Sequence, residues 1–379
     1  MEFSYSREQQ MVKKMIKEFA EQEIAPIAEE IDAEAKYPYE TIGKLGELGV
    51  MGMPFPQEYG GAGTDYLTYI MAVEELSKVD ASHGVIVQTH NALCCWPIYT
   101  YGTEEQKRKY LPDLLSGRKL GAFGLTEPNA GTDAAMQQTT AKDCGDHWLL
   151  NGSKIFISGG GIAEVYVIMA MTDKSKGNKG ISSFIVEKGM EGFTRGKKEN
   201  KMGIRGSIAA ELVFEDCKVP KENLLGQEGK GFKTAMSALD VGRLGIAAQA
   251  LGIAQGAFDQ TVEYMKQRKQ FGRSLDKFQA LAFEMADMKT RIDGSRFLLY
   301  NACNRRDRGL ASTVEAAQAK LSCSETASYV VDKAVQFHGG YGYIKDYPVE
   351  RMYRDQKITE IYEGTSEVMK MVISGNIFG

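Results

Sequence analysis

The chain has 379 residues, 43% hydrophobic and 25% charged, with a net charge of −4. That composition excludes disorder and collagen and supplies enough apolar surface for two or three domains. The negative balance argues against a protein that works by neutralising the phosphates of DNA or RNA. The six cysteines, at 94, 95, 144, 217, 303 and 323, include no C-x-x-C pair and no histidine at ligand spacing. No metal site is therefore expected, and Cys94-Cys95 reads as buried, reduced packing of the kind a reducing cytosol permits.

Helical patterning starts at Ser6, where Ser6 and Gln9 make a capping-box signature ahead of Met11, Met15 and Phe19 on one face. No charged-then-apolar leader precedes it, and no apolar run approaches about 18 residues. A cytoplasmic, prokaryotic protein with neither signal peptide nor membrane span is expected. Ala25-Pro26 interrupts the first helix, and helical patterns return over 39–49, 67–79 and 103–116. In the last of these Thr103 and Gln106 repeat the capping box, and Gly117 stops the helix. Residues 1–120 read as an all-α N-terminal domain.

From 121 to 225 the texture changes to short β-rich runs separated by Gly, Asn and Asp, among them WLLNGSKIFIS, VYVIMAMT, ISSFIVEK and ELVFEDCKV. Asn151-Gly152 is a strong hairpin signal, and without intervening helices these strands predict a middle antiparallel β-barrel or sandwich. From 226 to 379, after Gly229-Lys230-Gly231, long helical patterns over 232–266, 277–308 and 313–335 predict a C-terminal helical bundle. The fold class is α+β multidomain, in the order α, β, α.

No G-x-G-x-x-G or G-x-x-x-x-G-K-[ST] pattern occurs, which argues against a Rossmann nicotinamide site or a P-loop. The four histidines, 83, 90, 147 and 338, lie in unrelated contexts, and none belongs to a Ser-His-Asp arrangement; His338 reads as a packing or turn residue. FGLTEPNAGTD, residues 123–133, runs from a strand into a turn and exposes amides beside the Thr126 and Thr132 hydroxyls. That edge suits the carbonyls and ring nitrogens of a planar heterocycle, and equally a plain polar loop. KIFISGG, residues 154–160, offers a second such edge, with Phe156 to lie on a flat ring and Ser158 to donate to it. TEIYEGTSEV, residues 359–368, sets the Glu363 carboxylate before Gly364 and the Thr365-Ser366 hydroxyls. This combination suits a base beside a cofactor, or a Glu-Gly helix junction with a Thr or Ser cap.

Taken in order with LDVGR (239–243), QRKQFG (267–272), QFHGGYGY (336–343) and YPVERMYRDQKITEIYEGTSE (347–367), these motifs carry a specific likeness. The chain resembles the acyl-CoA dehydrogenases along essentially its full length. The resemblance implies a C-terminal four-helix bundle and FAD bound between the β domain and the C-terminal helices. It also implies a homotetramer of paired dimers in which a second subunit completes each site, an acyl-CoA substrate, and an electron-transferring flavoprotein as acceptor. By motif position Phe123, Leu125 and Thr126 face the flavin pyrimidine, and Phe156 and Ser158 its other side. Phe156 departs from the Trp of many relatives, which retains an aromatic face but puts indole-specific contacts in doubt. Arg268, Phe271, Gln336, Gly339 and Gly340 hold the adenosine and pyrophosphate end, with Thr365 and Glu367 closing it. Thr132 contacts both the cofactor and the thioester arm.

The resemblance also makes Glu363 the base that takes the α-proton while a hydride leaves the β-carbon for flavin N5. Its backbone N–H and a ribityl hydroxyl form the oxyanion hole. Some relatives carry the base inside the motif written here LDVGR; that position is Gly242, so Glu363 is the sole candidate. Asp240 and Arg243 lie along the pantetheine and CoA, with Tyr362 and Gly364 on the substrate side. The acyl pocket draws on residues 85–97, where Thr89, His90, Asn91 and Trp96 shape it. No Arg or Lys occurs between Val79 and Pro97, which disfavours a glutaryl-type acyl group. The expected reaction is oxidation of a short or compact acyl-CoA to the 2-enoyl-CoA. The alternatives are a cyclic or aryl acyl-CoA, the reverse reaction as an enoyl-CoA reductase, an oxidase, and a nucleic-acid-associated relative, which the absence of a basic C-terminal surface opposes.

Overall fold

Local sequence signals account for most of the helices in the computed structural model, which describes residues 5–379. Helix α1 (Arg7–Phe19) begins on the Ser6–Gln9 capping box with both reciprocal bonds formed. At Ala25-Pro26, where proline removes an amide donor, the rod loosens. A π turn (Ala20–Ile24) and a 3-10 turn (Ala25–Ile27) lead into α2 (Ala28–Glu34). Then come α3 (Tyr39–Glu47), α4 (Tyr66–Val79), α5 (Ala81–Thr89), α6 (Trp96–Tyr101) and α7 (Glu104–Leu115). The second capping box, Thr103–Gln106, opens α7, and Gly117 follows its end at φ 74°. Helix α4 is buried at every position from Tyr66 to Ser77, as a helix walled in on all sides must be. Between α5 and α6 the chain widens into a π segment, His90–Cys95.

Eight strands follow: β1 (Gly121–Gly124), β2 (Thr140–Asp143), β3 (His147–Ser158), β4 (Val165–Met171), β5 (Ile181–Glu187), β6 (Phe193–Lys198), β7 (Ala209–Pro220) and β8 (Leu224–Leu225). They form one sheet in the order β6-β7-β3-β2-β4-β5-β8, with β1 added on β4. Pairing is antiparallel except that β1 and one residue pair of β2 run parallel to β4. Period-2 alternation divides the faces. Val165, Val167 and Met169 of β4 join the large core shared with the helices, while Tyr166, Ile168 and Ala170 join a second core inside the β layer.

The hairpin expected at Asn151-Gly152 does not form. Both residues lie inside β3 at a bulge against β7, and the actual β2–β3 turn is at residues 144–146. The reason is tertiary. The Asn151 amide pairs twice with Asp216, donating to its carboxylate at 3.0 Å and accepting its N–H at 2.9 Å. A Cβ on Gly152 would sit 2.6 Å from Thr139 Oγ1. The glycine is thus needed for close approach within the sheet rather than for a turn.

Helix α8 (Gly231–Gln267) spans 37 residues, about 55 Å. A small β9 (Lys269–Gln270)–β10 (Arg273–Ser274) hairpin follows, then α9 (Gln279–Asp307), α10 (Thr313–His338), α11 (Val349–Gln356) and α12 (Ser366–Phe378). Two features bind α4 to this bundle. The Asp307 carboxylate accepts from Tyr66 N at 2.7 Å and Leu67 N at 3.2 Å, capping α4. Buried Glu74 is held by Arg296 at 3.0 Å and by the Tyr300 hydroxyl at 2.7 Å. Glycines 245, 252 and 256 of α8 face α5 and α4, and Gly242 faces Glu363 and Leu93; at each a Cβ would overlap a neighbour. The α5–α8 seam that results is where the site lies.

Candidate active site

Two consecutive residues before α12 adopt left-handed backbone, Glu363 at φ 53° and Gly364 at φ 98°. Glycine tolerates that conformation freely, whereas a glutamate held there costs about 1 kcal/mol or more and must be fixed by its surroundings. Three bonds fix it. Lys320 Nζ on α10 donates to Gly364 O at 2.6 Å, Arg243 Nε on α8 donates to Glu363 O at 3.4 Å, and Thr365 caps α12 by accepting from Val368 N at 3.3 Å. The helix-cap reading of this stretch is therefore correct as far as it goes. The cap turns the glutamate inward.

Inside, Gln88 Nε2 on α5 donates to Glu363 Oε1 at 3.0 Å and to Gly242 O at 2.9 Å. Glu363 Oε2 is buried and finds no partner among the described residues. It occupies the space over Gly242: a Cβ there would overlap Oε2 itself and lie 2.8 Å from the carboxyl carbon. The motif position at which some relatives carry the base and the resting place of this carboxylate are thus one volume. Burial pushes Glu363 up to about 7, against the opposing pull of the Gln88 amide, Lys320 and Arg243. Burial likewise pushes Lys320 down to about 8, with Glu363 the chief opposing influence. Phenols complete the wall. Tyr66 OH donates to Val241 O at 2.9 Å, Tyr362 OH donates to Gln249 Oε1, and buried Tyr69 OH has no partner among the described residues.

Asp240 and Arg243 are close to the base but engaged with the protein. Arg243 is buried and donates to Asp240 Oδ1 at 2.7 Å, and Asp240 Oδ2 accepts from Thr313 at 2.8 Å. Arg243 therefore braces the Glu363 turn. Of the residues expected to shape the acyl pocket, Thr89 bonds back to Val85 O at 2.8 Å and Asn91 to Val87 O at 2.9 Å. His90 turns away from the base. Its Nδ1 accepts from Gly121 N at 3.0 Å, so Nε2 carries the proton donated to Leu114 O at 3.0 Å, and burial pushes the ring down to about 4. His90 is a neutral tie between the π segment and β1. Trp96 is half-buried beneath the Arg306 guanidinium at 4.2 Å, a cation supplied by α9 and so outside the 79–97 window.

The two heterocycle edges are neighbours in space. Ile155 N donates to Thr126 O at 2.9 Å, and a bulge between Lys154 and Ile157 turns Phe156 outward at φ 59° with 63% of its surface exposed. Phe123 and Leu125 are buried, while Thr126 and Ser158 are half-buried at the same rim. Beneath them lies fully buried Lys154, whose Nζ donates to Leu125 O at 3.1 Å, Glu127 Oε1 at 2.7 Å and Gln137 Oε1 at 3.0 Å. Burial lowers Lys154 to about 8; burial would also raise Glu127, but Lys154 keeps that carboxyl below its ordinary value. Thr132 is exposed in the loop beyond.

Of the remaining expected residues, Glu367 lies in the first turn of α12, beside the Glu363 turn, and the others lie at the β9–β10 hairpin and around the end of α10. Arg268, Gly339 and Gly340 line a cleft of about 450 Å³ with Tyr264, His338 and Tyr341. Phe271 projects from the hairpin tip with 93% of its surface exposed, and Gln336 is exposed on the last turn of α10. Gly340 has ordinary backbone and open space around it, so neither conformation nor packing requires a glycine there. His338 Nδ1 bonds to Ala334 O at 2.7 Å, leaving Nε2 buried and without a partner among the described residues. Gln336 lies sixteen positions along α10 from Lys320, about 24 Å by helical rise.

Gln88, Lys320 and the Lys154–Glu127 pair escaped the motif reading. Lys320 alone left a signal: it falls on the buried face of α10 with Ala316, Cys323 and Ala327, where an unpaired lysine is out of place.

Models of three acyl-CoA dehydrogenase domains match the chain, the N-terminal domain over residues 6–118, the middle domain over 122–217 and the C-terminal domain over 229–378. The chain is 61% identical over 378 residues, 100% of both chains, to the short-chain specific acyl-CoA dehydrogenase of Clostridium acetobutylicum. It is 52% identical to the acryloyl-CoA reductase (NADH) of Anaerotignum propionicum, covering 100% of this chain and 96% of the relative. It also superimposes with a TM-score of 0.98 on a chain in a solved structure described as an electron transferring flavoprotein of Acidaminococcus fermentans, at 56% identity and covering 100% and 99% of the two chains.

Proposed function

The chain belongs to the acyl-CoA dehydrogenase family, and on that premise we propose that it is an FAD-dependent enzyme oxidising a short or compact acyl-CoA to the 2-enoyl-CoA, with an electron-transferring flavoprotein as acceptor. The observation that carries this reading is the Glu363 carboxylate, buried, raised to about 7, and with one oxygen free. A thioester α-proton is very weakly acidic, and a carboxylate removes it only where its own basicity has been raised and the developing enolate is stabilised. FAD, when bound, supplies the hydride acceptor for the β-carbon. Glu363 Oε2 takes the α-proton. The Glu363 N–H, which finds no acceptor among the described residues, donates to the thioester oxygen as charge builds there.

The rim of Phe123, Leu125, Thr126, Phe156 and Ser158 fits one end of FAD, and the open Gly339-Gly340 backbone with Arg268 fits the other. The family likeness supports a homotetramer of paired dimers in which each site draws on two subunits. Likeness to a short-chain specific relative supports a linear short acyl group over a cyclic or aryl one. The similarity to an acryloyl-CoA reductase favours a second reading, net enoyl-CoA reduction, which the same residues serve with Glu363 returning the proton.

Anaerobic bleaching of the bound flavin by butyryl-, hexanoyl-, cyclohexanoyl- and phenylpropanoyl-CoA tests both class and substrate. Butyryl-CoA is expected to bleach fastest. Negligible bleaching by it beside the cyclic and aryl substrates would sink the short-chain assignment. Faster turnover of crotonyl-CoA with reduced flavoprotein than of butyryl-CoA with oxidised flavoprotein would establish the reductive direction.

A further inference from the structure

We propose that Gln88 is a positioning residue for the base: it engages Glu363 Oε1 and thereby reserves Oε2, seated over Gly242, as the oxygen that receives the α-proton. This rests on the reading of Glu363 as the base. The two carboxylate oxygens are chemically equivalent in solution but not here, since Oε1 accepts from Gln88 at 3.0 Å and Oε2 is buried without a partner. The amide has one usable orientation. Its two N–H groups serve Glu363 Oε1 and Gly242 O, the latter at 2.9 Å. A flipped amide would set its own oxygen against a carbonyl and a carboxylate, both acceptors.

The Gln88 stem cannot drift either. It lies in a slot over Gly245, where a Cβ would overlap Gln88 Cγ, one turn beyond the notch over Gly242 that receives Oε2. The two glycines, three positions apart on one face of α8, thus form a paired recess for the amide and the acid.

The chemistry of the donor matters as much as its place. A direct ion pair would stabilise the carboxylate strongly and weaken it as a base, whereas a neutral amide steadies the anion only modestly. The nearby cations spend their hydrogen bonds elsewhere, Lys320 on Gly364 O and Arg243 on Glu363 O and Asp240. The other groups facing the carboxylate are the neutral phenols of Tyr66 and Tyr69 from α4 and Tyr362 from its own segment. In the reaction the Cα–H bond breaks and its proton bonds to Oε2. The electron pair left at Cα becomes the Cα=Cβ bond as hydride passes from the β-carbon to the oxidised flavin, and the reverse direction retraces these steps.

The test uses holoenzyme carrying Gln88→Met, which keeps the shape and removes the donor, and Gln88→Glu, which sets a second carboxylate beside the first. For Gln88→Met, kcat for butyryl-CoA is expected to fall about tenfold with KM within about threefold. The acid limb of its kcat/KM profile should move up by about one pH unit. Gln88→Glu should move it further, because two adjacent carboxylates share one proton. A readout independent of turnover is the pH dependence of melting, compared in each case with the same substitution in a Glu363→Gln background, which isolates the titration of Glu363. If Gln88→Met lowers the melting temperature but leaves kcat and both pH readings at wild-type values, Gln88 is a packing residue and the proposal is overturned. If wild type bleaches with no acyl-CoA at all, the proposed function fails instead, and the melting comparison still decides whether Gln88 controls Glu363.

Discussion

Replacing Glu363 by Gln removes the charge and keeps the shape, so the pH dependence of stability reports the buried carboxyl directly. In the folded protein burial holds this group near 7, against 4.5 for an unhindered glutamate. Between those values the folded chain retains a proton that the unfolded chain has released, so wild-type stability falls as pH rises through this window and levels off above it. At about 1.4 kcal/mol per pH unit the penalty reaches roughly 3 kcal/mol at pH 8, and is about 1 kcal/mol at pH 5. The variant escapes it. Urea titrations of the FAD-saturated proteins at intervals from pH 5 to 8.5 should therefore show the variant gaining on wild type by about 2 kcal/mol across the range. Any constant offset reflects the altered bond to Gln88. In the same protein flavin and CoA binding should persist while bleaching by acyl-CoA is lost, and wild-type kcat/KM for oxidation should rise through a pH near 7. Stability curves that run parallel within about 0.5 kcal/mol would refute the claim that a titrating carboxyl lies in this pocket.

Two further substitutions probe the neighbours. A methyl group at 242 overlaps Oε2, so Gly242→Ala should expel the carboxylate from its notch and lower kcat about 100-fold with flavin content unchanged; kcat within threefold of wild type would show that the notch is not needed. Moving the acid across the same volume, as Gly242→Glu with Glu363→Gly, should recover part of the activity that Glu363→Gly alone loses, measured by flavin bleaching. Lys154→Met leaves the Glu127 carboxylate buried without its cation and should destabilise by roughly 3 kcal/mol or more in urea titrations, with weakened flavin retention. Adding Glu127→Gln should restore part of that loss, and a single-variant effect under about 1 kcal/mol would count against a buried pair under the 125–127 loop.

Much of the fold is legible in the chain because its signals are local. Ser6–Gln9 and Thr103–Gln106 each satisfy orphan helix amides within one turn, and both capping boxes form as read. Asn151-Gly152 misleads for the complementary reason. Its meaning is set by Asp216, which comes from another strand and claims the Asn151 amide that a hairpin turn would have left free. The acyl-pocket window fails in the same way at His90, whose partners on α7 and β1 turn the ring away from the base.

The candidate site divides along the same line. Glu363, its glycine and its capping threonine are contiguous, so sequence motifs are enough to find them. The properties that make Glu363 a base of a particular strength depend on groups the chain order keeps apart, and Gln88 lies 275 positions away. Gly242 supplies an absence of atoms, which acquires meaning only when α12, α10 and α5 converge on α8. Lys320 holds the strained turn from behind through the Gly364 carbonyl. Periodicity, caps and contiguous motifs determine this protein's elements and name its acid. Tertiary packing decides which oxygen of that acid is free and how basic it is, because burial and hydrogen-bond partners are properties of the assembled interior.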